Sequence, residues 1–177
     1  MKVSLSWLKE YVNIEMDVED LASALTMSGL EVESVTDSFD YLDNVVVCRI
    51  VEIRPHPNAE KLKLCRVDAG NRILQVVCGA PNAAENILAP LALPGTAFPN
   101  GPVLQISDIR GEVSEGMLCS ERELELGDDK SGIMILSGTY EPGTKIAKAL
   151  SLSDFVLEVG LTPNRSDCLS ITGIARE

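Results

Sequence analysis

The sequence predicts an α+β protein in which a small five-stranded antiparallel β-barrel is inserted into a discontinuous α/β domain. Short apolar runs separated by closely spaced turn residues fill the middle of the chain, which is typical of a small barrel. Helical spacing of apolar residues returns at both ends. A strand predicted near each end has no local partner, so the simplest arrangement pairs the two. We therefore predict one domain from residues 1–39 plus 149–177, and a second from residues 40–148.

The two ends of the chain carry the helical signals. The first 35 residues read as helix, helix, strand, with Asp17 as a suitable N-cap of the second helix and Gly29 as its stop. Alternation in residues 30–35 predicts a strand, and the apolar run 155–159 predicts its partner. The last predicted helix begins near Cys168 and reaches the end of the sequence without a closing cap. We therefore expect the chain to be a piece of a longer protein.

The middle of the chain reads as short strands. Residues 45–53, 62–70 and 72–79 are apolar and strand-like, and the last two runs flank a turn at residues 68–71. Further short apolar runs follow, separated by Pro and Gly. A short helix is predicted at Ser120–Leu126, where Ser120 is the cap and the next glycine ends the helix.

Overall charge excludes a protein that binds nucleic acid over its whole surface. The 177 residues contain 15 Lys+Arg and 27 Asp+Glu, a net charge of −12. Residues 49–72 are the exception, with six cations against three anions. Such a patch can attract phosphates, or it can be an ordinary solvated strand face. The six cations are Arg49, Arg54, Lys61, Lys63, Arg66 and Arg72.

Several classes of function are disfavoured by the residue patterns. The five cysteines form no Cys-x-x-Cys pair and do not neighbour the single histidine, so zinc spacing is absent and a reduced, cytoplasmic chain is favoured. No phosphate-binding glycine loop or nucleophile elbow occurs. His56 lies between two prolines and has no predicted nucleophile partner. We therefore predict no catalytic residue, no metal site, no membrane-spanning segment and no secretion signal.

A second local signal is the segment SEGMLCSERELELG at residues 114–127. Gly116 precedes an apolar run and would allow a close backbone approach, and Ser120 can cap the predicted helix. A helix N-terminus can receive a phosphate, but Glu121 and Glu123 would oppose an anion there. From the residues alone, a capped surface helix is an equally good interpretation.

Five segments, in this order, resemble the β subunits of bacterial phenylalanyl-tRNA synthetases. The middle three are shared with a wider group of tRNA-binding barrels, and the first and last point to this subunit. Together they extend over essentially the whole chain. The segments are MKVSLSWLKEYV (1–12), HPNAEKLKLCRVD (56–68), QVVCGAPN (75–82), IRGEVSEGMLCSERELELG (109–127) and TPNRSDCLSITGIARE (162–177).

The resemblance implies an oligonucleotide-binding (OB) fold of the tRNA-binding type, inserted into the first domain of a much longer subunit. That subunit pairs with an α subunit in an (αβ)2 tetramer, which attaches phenylalanine to tRNA(Phe) in the cytoplasm using ATP and Mg²⁺. In this family aminoacylation lies in the α subunit, and editing and anticodon recognition lie in later β domains. We therefore expect this chain to contribute tRNA binding and subunit architecture, without an active site or a cofactor of its own.

By motif position, the resemblance implies an RNA-facing surface made from two segments. Two alternatives remain open: a purely structural interaction module of the synthetase, and a stand-alone tRNA-binding protein. The candidate residues are Lys61, Lys63 and Arg66 in the first segment, and Ser114, Met117 and Ser120 in the second.

Overall fold

A computed structural model describes residues 1–99 and 101–177, and these form two compact units, Met1–Asp40 with Ser153–Glu177, and Tyr41–Leu152. Single-turn 3₁₀ helices lie at Asp40–Leu42 and Ser166–Cys168. Across the described ranges, no helix is long and apolar enough to cross a membrane. The remaining elements are, in chain order, β1 (Lys2–Ser4), α1 (Leu5–Leu8), α2 (Val18–Met27), β2 (Glu31–Asp37), β3 (Val45–His56), β4 (Ala59–Asp68), β5 (Ile73–Cys78), β6 (Leu88–Ala92), β7 (Ser107–Ile109), β8 (Glu112–Ser114), β9 (Met117–Leu118), α3 (Ile146–Ala149), β10 (Phe155–Gly160) and α4 (Ile171–Ile174).

The first unit is a three-stranded antiparallel sheet covered by short helices. Its strand order is β1-β10-β2, with Leu157 of β10 opposite Val3 of β1 and Val35 of β2. The predicted pairing of the two end strands is therefore confirmed. Val3 and Leu157 are fully buried, and they pack in one cluster with Leu8 and with Leu21 of α2. Burying side chains of this size contributes about 1.5–3 kcal/mol each.

Helix α2 forms where the sequence predicts it. The Asp17 carboxylate accepts the backbone N–H of Asp20 at 2.9 Å, which satisfies one of the free donors of the first turn. Leu21 and Leu25 lie one turn apart and face the core. The helix ends before Gly29, which has a φ of 95° and so adopts the left-handed conformation that glycine tolerates best.

The second unit contains a five-stranded antiparallel sheet and a separate hairpin of β7 and β8. The sheet order is β5-β4-β3-β6-β9. The turn between β4 and β5 contains Gly70, whose φ is 92° and whose N–H donates to the Asp68 carboxylate at 2.8 Å. The antiparallel five-stranded sheet agrees with the sequence prediction. The described strand pairings do not close this sheet into a barrel.

All five cysteines are buried and free, as expected for small apolar residues in a reduced protein. Cys48, Cys65 and Cys78 pack with the aliphatic side chains of the second core, which include Ile50 and Leu91. This confirms the interpretation of these cysteines as core residues. The five are Cys48, Cys65, Cys78, Cys119 and Cys168.

Three local predictions were wrong or incomplete. The helix predicted at Ser120–Leu126 is a turn, because Glu125 adopts a φ of 54° and the helical run cannot continue. Strand β1 was not predicted, since three residues are too few to show an alternating pattern. The helix expected from Cys168 onward is divided into the second 3₁₀ turn and α4.

Candidate nucleic-acid interface

A groove of about 1140 Å³ lies beside β5 and β9 in the second unit. Its apolar lining includes Val77 and Met117, which are half-buried, and the exposed Val103. Arg122 and Lys130 are exposed at the same groove, as are Glu123 and Glu125. An apolar lining with a few charged groups at its edge is typical of a ligand groove. Further apolar lining comes from Phe98, Leu104 and Ile133.

Ser114 is a structural residue beside this groove. It is buried, its hydroxyl donates to the Gly116 carbonyl at 2.9 Å, and it accepts the Val77 N–H at 3.0 Å. A Cβ atom on Gly116 would lie 2.8 Å from the Ala92 carbonyl oxygen, which explains why glycine occupies this position. The Ser114 hydroxyl therefore holds the edge of β5 against the turn that leads into β9.

Ser120 is also engaged within the protein. Its backbone N–H and its hydroxyl both donate to one carboxylate oxygen of Glu123, each at 2.7 Å, and the Glu123 N–H reaches the Ser120 hydroxyl at 3.3 Å. This reciprocal arrangement is a capping box closed on a single turn. Ser120 is buried, and the Glu123 carboxylate already accepts both its N–H and its hydroxyl. These donors are therefore not available to a bound anion. Among Ser114, Met117 and Ser120, the two serines are buried, and Met117 is half-buried and lines the groove.

The three cations of the first predicted segment lie on two faces of β4. Successive side chains of a strand point to opposite faces, and the register of β4 with β5 is continuous from Lys63 onward. Lys63 shares the face of the buried Cys65 and Val67. Lys61 lies before Lys63, where the pairing of β3 with β4 is irregular. Arg66 lies on the opposite face. The structure therefore does not bring the three cations to one surface.

Each of these cations has a different environment. Lys61 is exposed. The Lys63 ammonium donates to the carbonyls of Pro81 at 3.3 Å and Ala83 at 3.1 Å, which places it behind the groove wall formed in part by Pro81. Arg66 forms an ion pair with Glu52 at 3.4 Å, in which the Arg66 side chain is exposed and that of Glu52 is half-buried. Hydrogen bonding from Arg54 lowers the pKa of the Glu52 carboxyl, with Arg66 adding to the effect.

One wall residue of the groove, Cys78, has an altered thiol. A hydrogen bond from the Cys65 thiol lowers the pKa of Cys78 and raises that of Cys65, and the Ala80 N–H at 3.4 Å from Cys78 Sγ adds to the lowering. Burial raises the pKa of Cys48 and of Cys119 to about 12. Among these four thiols, that of Cys78 is therefore the most acidic.

His56 is structural, in agreement with the sequence interpretation. It is buried at the end of β3, where its Nδ1 accepts the Asn58 N–H at 3.0 Å and its Nε2 lies 2.9 Å from the Ile109 carbonyl. Because Nδ1 accepts, the neutral ring carries its proton on Nε2 and donates it to Ile109. The Asn58 side chain donates to the Arg110 carbonyl at 2.9 Å. These bonds attach the tip of the β7–β8 hairpin to the turn between β3 and β4.

Sequence reasoning missed three exposed cations that the structure places at concave surfaces: Arg110, Arg122 and Lys130. Arg122 and Lys130 lie among the acidic residues 121–129 and directly after them. The net negative charge of that segment gave no sign of a cationic site. The Arg110-Gly111 pair is a turn signal between two short strands and would have located the hairpin.

A group of potential metal ligands lies in the first unit, but an arginine already occupies it. The side chains of Asp167, Cys168 and Glu177 approach one another. The Arg165 guanidinium reaches Asp167 at 3.3 Å, Cys168 Sγ at 2.9 Å and Glu177 at 2.8 Å. Its hydrogen bond also lowers the pKa of the Asp167 carboxyl. These contacts make the group an ion-pair cluster.

A five-stranded antiparallel sheet beside a groove with exposed cations is the arrangement expected of a small nucleic-acid-binding domain. Residues 45–145 match the family model described as "Putative tRNA binding domain". This match extends over more than half of the chain, and the chain belongs to that tRNA-binding domain family.

Relatives of known name match the whole chain. It is 51% identical over 177 residues to the phenylalanine–tRNA ligase β subunit of Syntrophus aciditrophicus, 50% to that of Syntrophotalea carbinolica, and 48% over 178 residues to that of Bordetella pertussis. In each case the match includes 100% of this chain and 22% of the relative. The chain therefore spans about a fifth of the length of these curated relatives.

A solved structure of a MetRS related protein from Pyrococcus horikoshii is also similar. Its identity to this chain is 15%, over 75% of this chain and 99% of that chain, with a TM-score of 0.44. This superposition is too loose to support an argument about the fold or the function.

Proposed function

We propose that this chain is a tRNA-binding, non-catalytic part of a phenylalanine–tRNA ligase β subunit. The observation that carries the proposal is the full-length similarity to such subunits at 45–51% identity, together with the tRNA-binding family match over residues 45–145. The acidic composition favours a restricted contact surface over general nucleic-acid binding. In the whole enzyme, the ligand of this module would be tRNA(Phe).

The activity of the whole enzyme extends the same proposal. The assembly would be an (αβ)2 tetramer with an α subunit, located in the cytoplasm, that attaches phenylalanine to tRNA with ATP and Mg²⁺. We propose no role in binding ATP or Mg²⁺ for the described residues of this chain. Arg165 fills the cluster of acidic and thiol side chains in the first unit.

We propose an OB-type barrel for the second unit, with the domain boundaries 1–39 plus 149–177 and 40–148. Contacts between the two sheet edges support the barrel. The Glu115 N–H donates to the Gln75 carbonyl at 2.8 Å, and the Val77 N–H donates to the Ser114 hydroxyl at 3.0 Å. These bonds join the β5 edge to the segment that leads into β9. The boundaries are supported by the division of the chain near residues 40 and 152.

The RNA-facing surface is proposed to be the groove and the two cations exposed at it, Arg122 and Lys130. Met117 offers an apolar contact in the groove, Lys63 supports the wall from behind, and Arg122 and Lys130 supply phosphate contacts. Ser114 and Ser120 support this surface through their internal hydrogen bonds. Lys61 and Arg66 lie outside the groove lining, so within the groove itself they contribute only through the electrostatic field.

The test is a titration of labelled tRNA with the wild-type chain and an Arg122→Gln, Lys130→Gln double variant. Each lost phosphate contact is expected to reduce the slope of log affinity against log salt by about 0.7–0.9. The matched control is Lys148→Gln, which removes an exposed cation from α3. An affinity of the double variant equal to that of the control would exclude the groove edge as the contact surface.

A second candidate function is a structural interaction module of the synthetase. The charge of the first unit favours it, since that unit contains four Lys and Arg and 13 Asp and Glu, and so repels RNA. This function predicts that deleting the region from the whole subunit dissociates the enzyme without changing the affinity for tRNA. Size-exclusion chromatography with the α subunit measures the first effect, and tRNA titration measures the second.

A further inference from the structure

A second cationic cleft lies between the β3–β4 turn and the tip of the β7–β8 hairpin, separate from the groove described above. It has a volume of about 840 Å³, and its lining contains the exposed side chains of Lys61 and Arg110. Glu60 is the one carboxylate among its described lining residues. Two cations against one anion make this a net positive cleft in an otherwise acidic protein.

Arg110 occupies a backbone position that does not favour arginine. Its φ is 56°, and that of Gly111 is 91°, so the two residues form the two-residue loop of a hairpin in which Ile109 pairs with Glu112. Loops of this kind favour Asn, Asp or Gly at the first position, because side chains with a larger Cβ substituent are strained there. Residues held in such a conformation are found preferentially at functional sites.

The hairpin does not need the arginine side chain to stay in place. Its tip is attached through two backbone carbonyls, that of Ile109 to His56 and that of Arg110 to the Asn58 side chain. Any residue would supply those carbonyls. Among residues 1–99 and 101–177, neither the Arg110 guanidinium nor the Lys61 ammonium forms an ion pair. Both cations are therefore available to an external anion.

We propose that this cleft is a second phosphate-binding site, in which Arg110 and Lys61 contact one backbone phosphate of a bound RNA. The inference rests on the proposed tRNA-binding function, and it names a contact outside the groove. An arginine suits this role, since its planar guanidinium can donate two hydrogen bonds to phosphate oxygens. The His56 and Asn58 bonds hold the hairpin tip, so that Arg110 is positioned before the RNA arrives.

The test compares tRNA affinity and salt dependence for five forms of the chain: wild type, Arg110→Gly, Arg110→Lys, Lys61→Gln and the control Lys148→Gln. We expect Arg110→Gly to lower affinity about fivefold near 0.1 M salt and to reduce the salt slope by about 0.7. The same substitution relieves the backbone strain, so its melting temperature should not fall below that of the wild type. Arg110→Lys should retain most of the affinity, and Lys61→Gln should resemble Arg110→Gly.

Glu60→Gln supplies a change of opposite sign. Removing the carboxylate from the cleft should strengthen tRNA binding, while any disturbance of the fold would weaken it. If Arg110→Gly and Lys61→Gln bind tRNA as Lys148→Gln does, while Arg122→Gln with Lys130→Gln weakens binding, the cleft proposal is overturned and the proposed function stands. If the wild-type chain does not bind tRNA, the proposed function fails first.

Inorganic phosphate is the second probe, because a free anion and an RNA backbone share the same chemistry. A cleft that works together with the groove should bind free phosphate at least about a hundredfold more weakly than tRNA, since linked contacts reinforce one another. Phosphate binding is followed by NMR at the Arg110 side chain. Binding of phosphate as tight as that of tRNA would assign the cleft to a free anion and would overturn the proposal.

Discussion

The hydroxyl groups of Ser114 and Ser120 show that part of the tRNA-binding motif is internal structure. Both are buried, and both exchange hydrogen bonds with neighbouring groups of the protein. Leaving a buried donor or acceptor without a partner costs about 1–3 kcal/mol, so each hydroxyl has a structural reason to be present. At the scale of single residues, the proposed binding surface consists of the apolar side chains of the groove and of the cations around it.

Cys78 provides a prediction at the same scale. Because the hydrogen bond from Cys65 lowers the pKa of Cys78, more of this thiol is ionised at neutral pH, and Cys78 is one of the residues that line the groove. We expect iodoacetamide to alkylate Cys78 before Cys48 and Cys119, whose pKa values burial raises to about 12. Mass spectrometry of the labelled peptides measures the order.

A Cys65→Ala variant tests the cause of that reactivity. Removing the donor should raise the pKa of Cys78, so the rate of alkylation at pH 7 should fall and its rise with pH should move to higher pH. Cys168→Ala is the matched control, since Cys168 lies in the other compact unit. Equal rates for Cys78 in the two variants would show that Cys65 does not tune this thiol.

At the scale of elements, the β7–β8 hairpin depends on the turn that precedes β4. The His56 ring and the Asn58 side chain hold the carbonyls of Ile109 and Arg110 at its tip. Gln75 of β5 donates to the Val113 carbonyl at 3.0 Å, farther from the tip. The hairpin strands are three residues each and make one pairing, to each other. A two-stranded hairpin is marginal without such support.

Replacing His56 by Ala should therefore loosen this hairpin selectively. The substitution removes two hydrogen bonds and a buried ring, and we expect it to lower the free energy of unfolding by about 1–3 kcal/mol. Hydrogen exchange should accelerate in residues 107–114 more than in β4 and β5. Asn58→Ala removes only the bond to Arg110 and should give a smaller effect. Uniform acceleration across the sheet would contradict a local role.

The elements also show which parts of the fold can be read from a sequence. Strands β3, β4 and β5 were predicted because apolar runs bounded by turn residues are a local signal. The turn at Ser120 was predicted as a helix because its cap is visible, whereas the left-handed conformation of Glu125 depends on its surroundings. Lys63 and Arg66 lie on opposite faces of β4 because of its register with β5. Counting the cations in the sequence does not show on which face each one lies.

At the scale of the whole molecule, charge and core are both divided between the two units. Residues 1–40 with 153–177 have a net charge of −9, and residues 41–152 have a net charge of −3. Each unit has its own cluster of buried apolar side chains. The family could be recognised from the sequence, because the motifs at the two chain ends resemble those of the synthetase β subunits. The unequal charge of the two units could be seen only in the structure, where both chain ends belong to one unit.

A core substitution tests this division. Leu157 is fully buried in the first unit, and Leu157→Ala should cost about 2–5 kcal/mol. We expect hydrogen exchange to accelerate in residues 1–40 and 153–177, with residues 41–152 nearly unchanged. Leu91→Ala, in the core of the second unit, is the reciprocal control. Equal acceleration in both units after either substitution would contradict independent cores.

The measurement that tests the account most directly is the affinity of the wild-type chain for labelled tRNA as a function of salt. Contacts at the groove and at the Arg110 cleft predict that the logarithm of the affinity falls linearly with the logarithm of the salt concentration. Each phosphate contacted is expected to add about 0.7–0.9 to the slope. A net charge of −12 predicts that this binding is weak and steeply lost as salt rises. Affinity that does not change with salt, or no binding at low salt, would contradict the assignment of this chain as a tRNA-binding module.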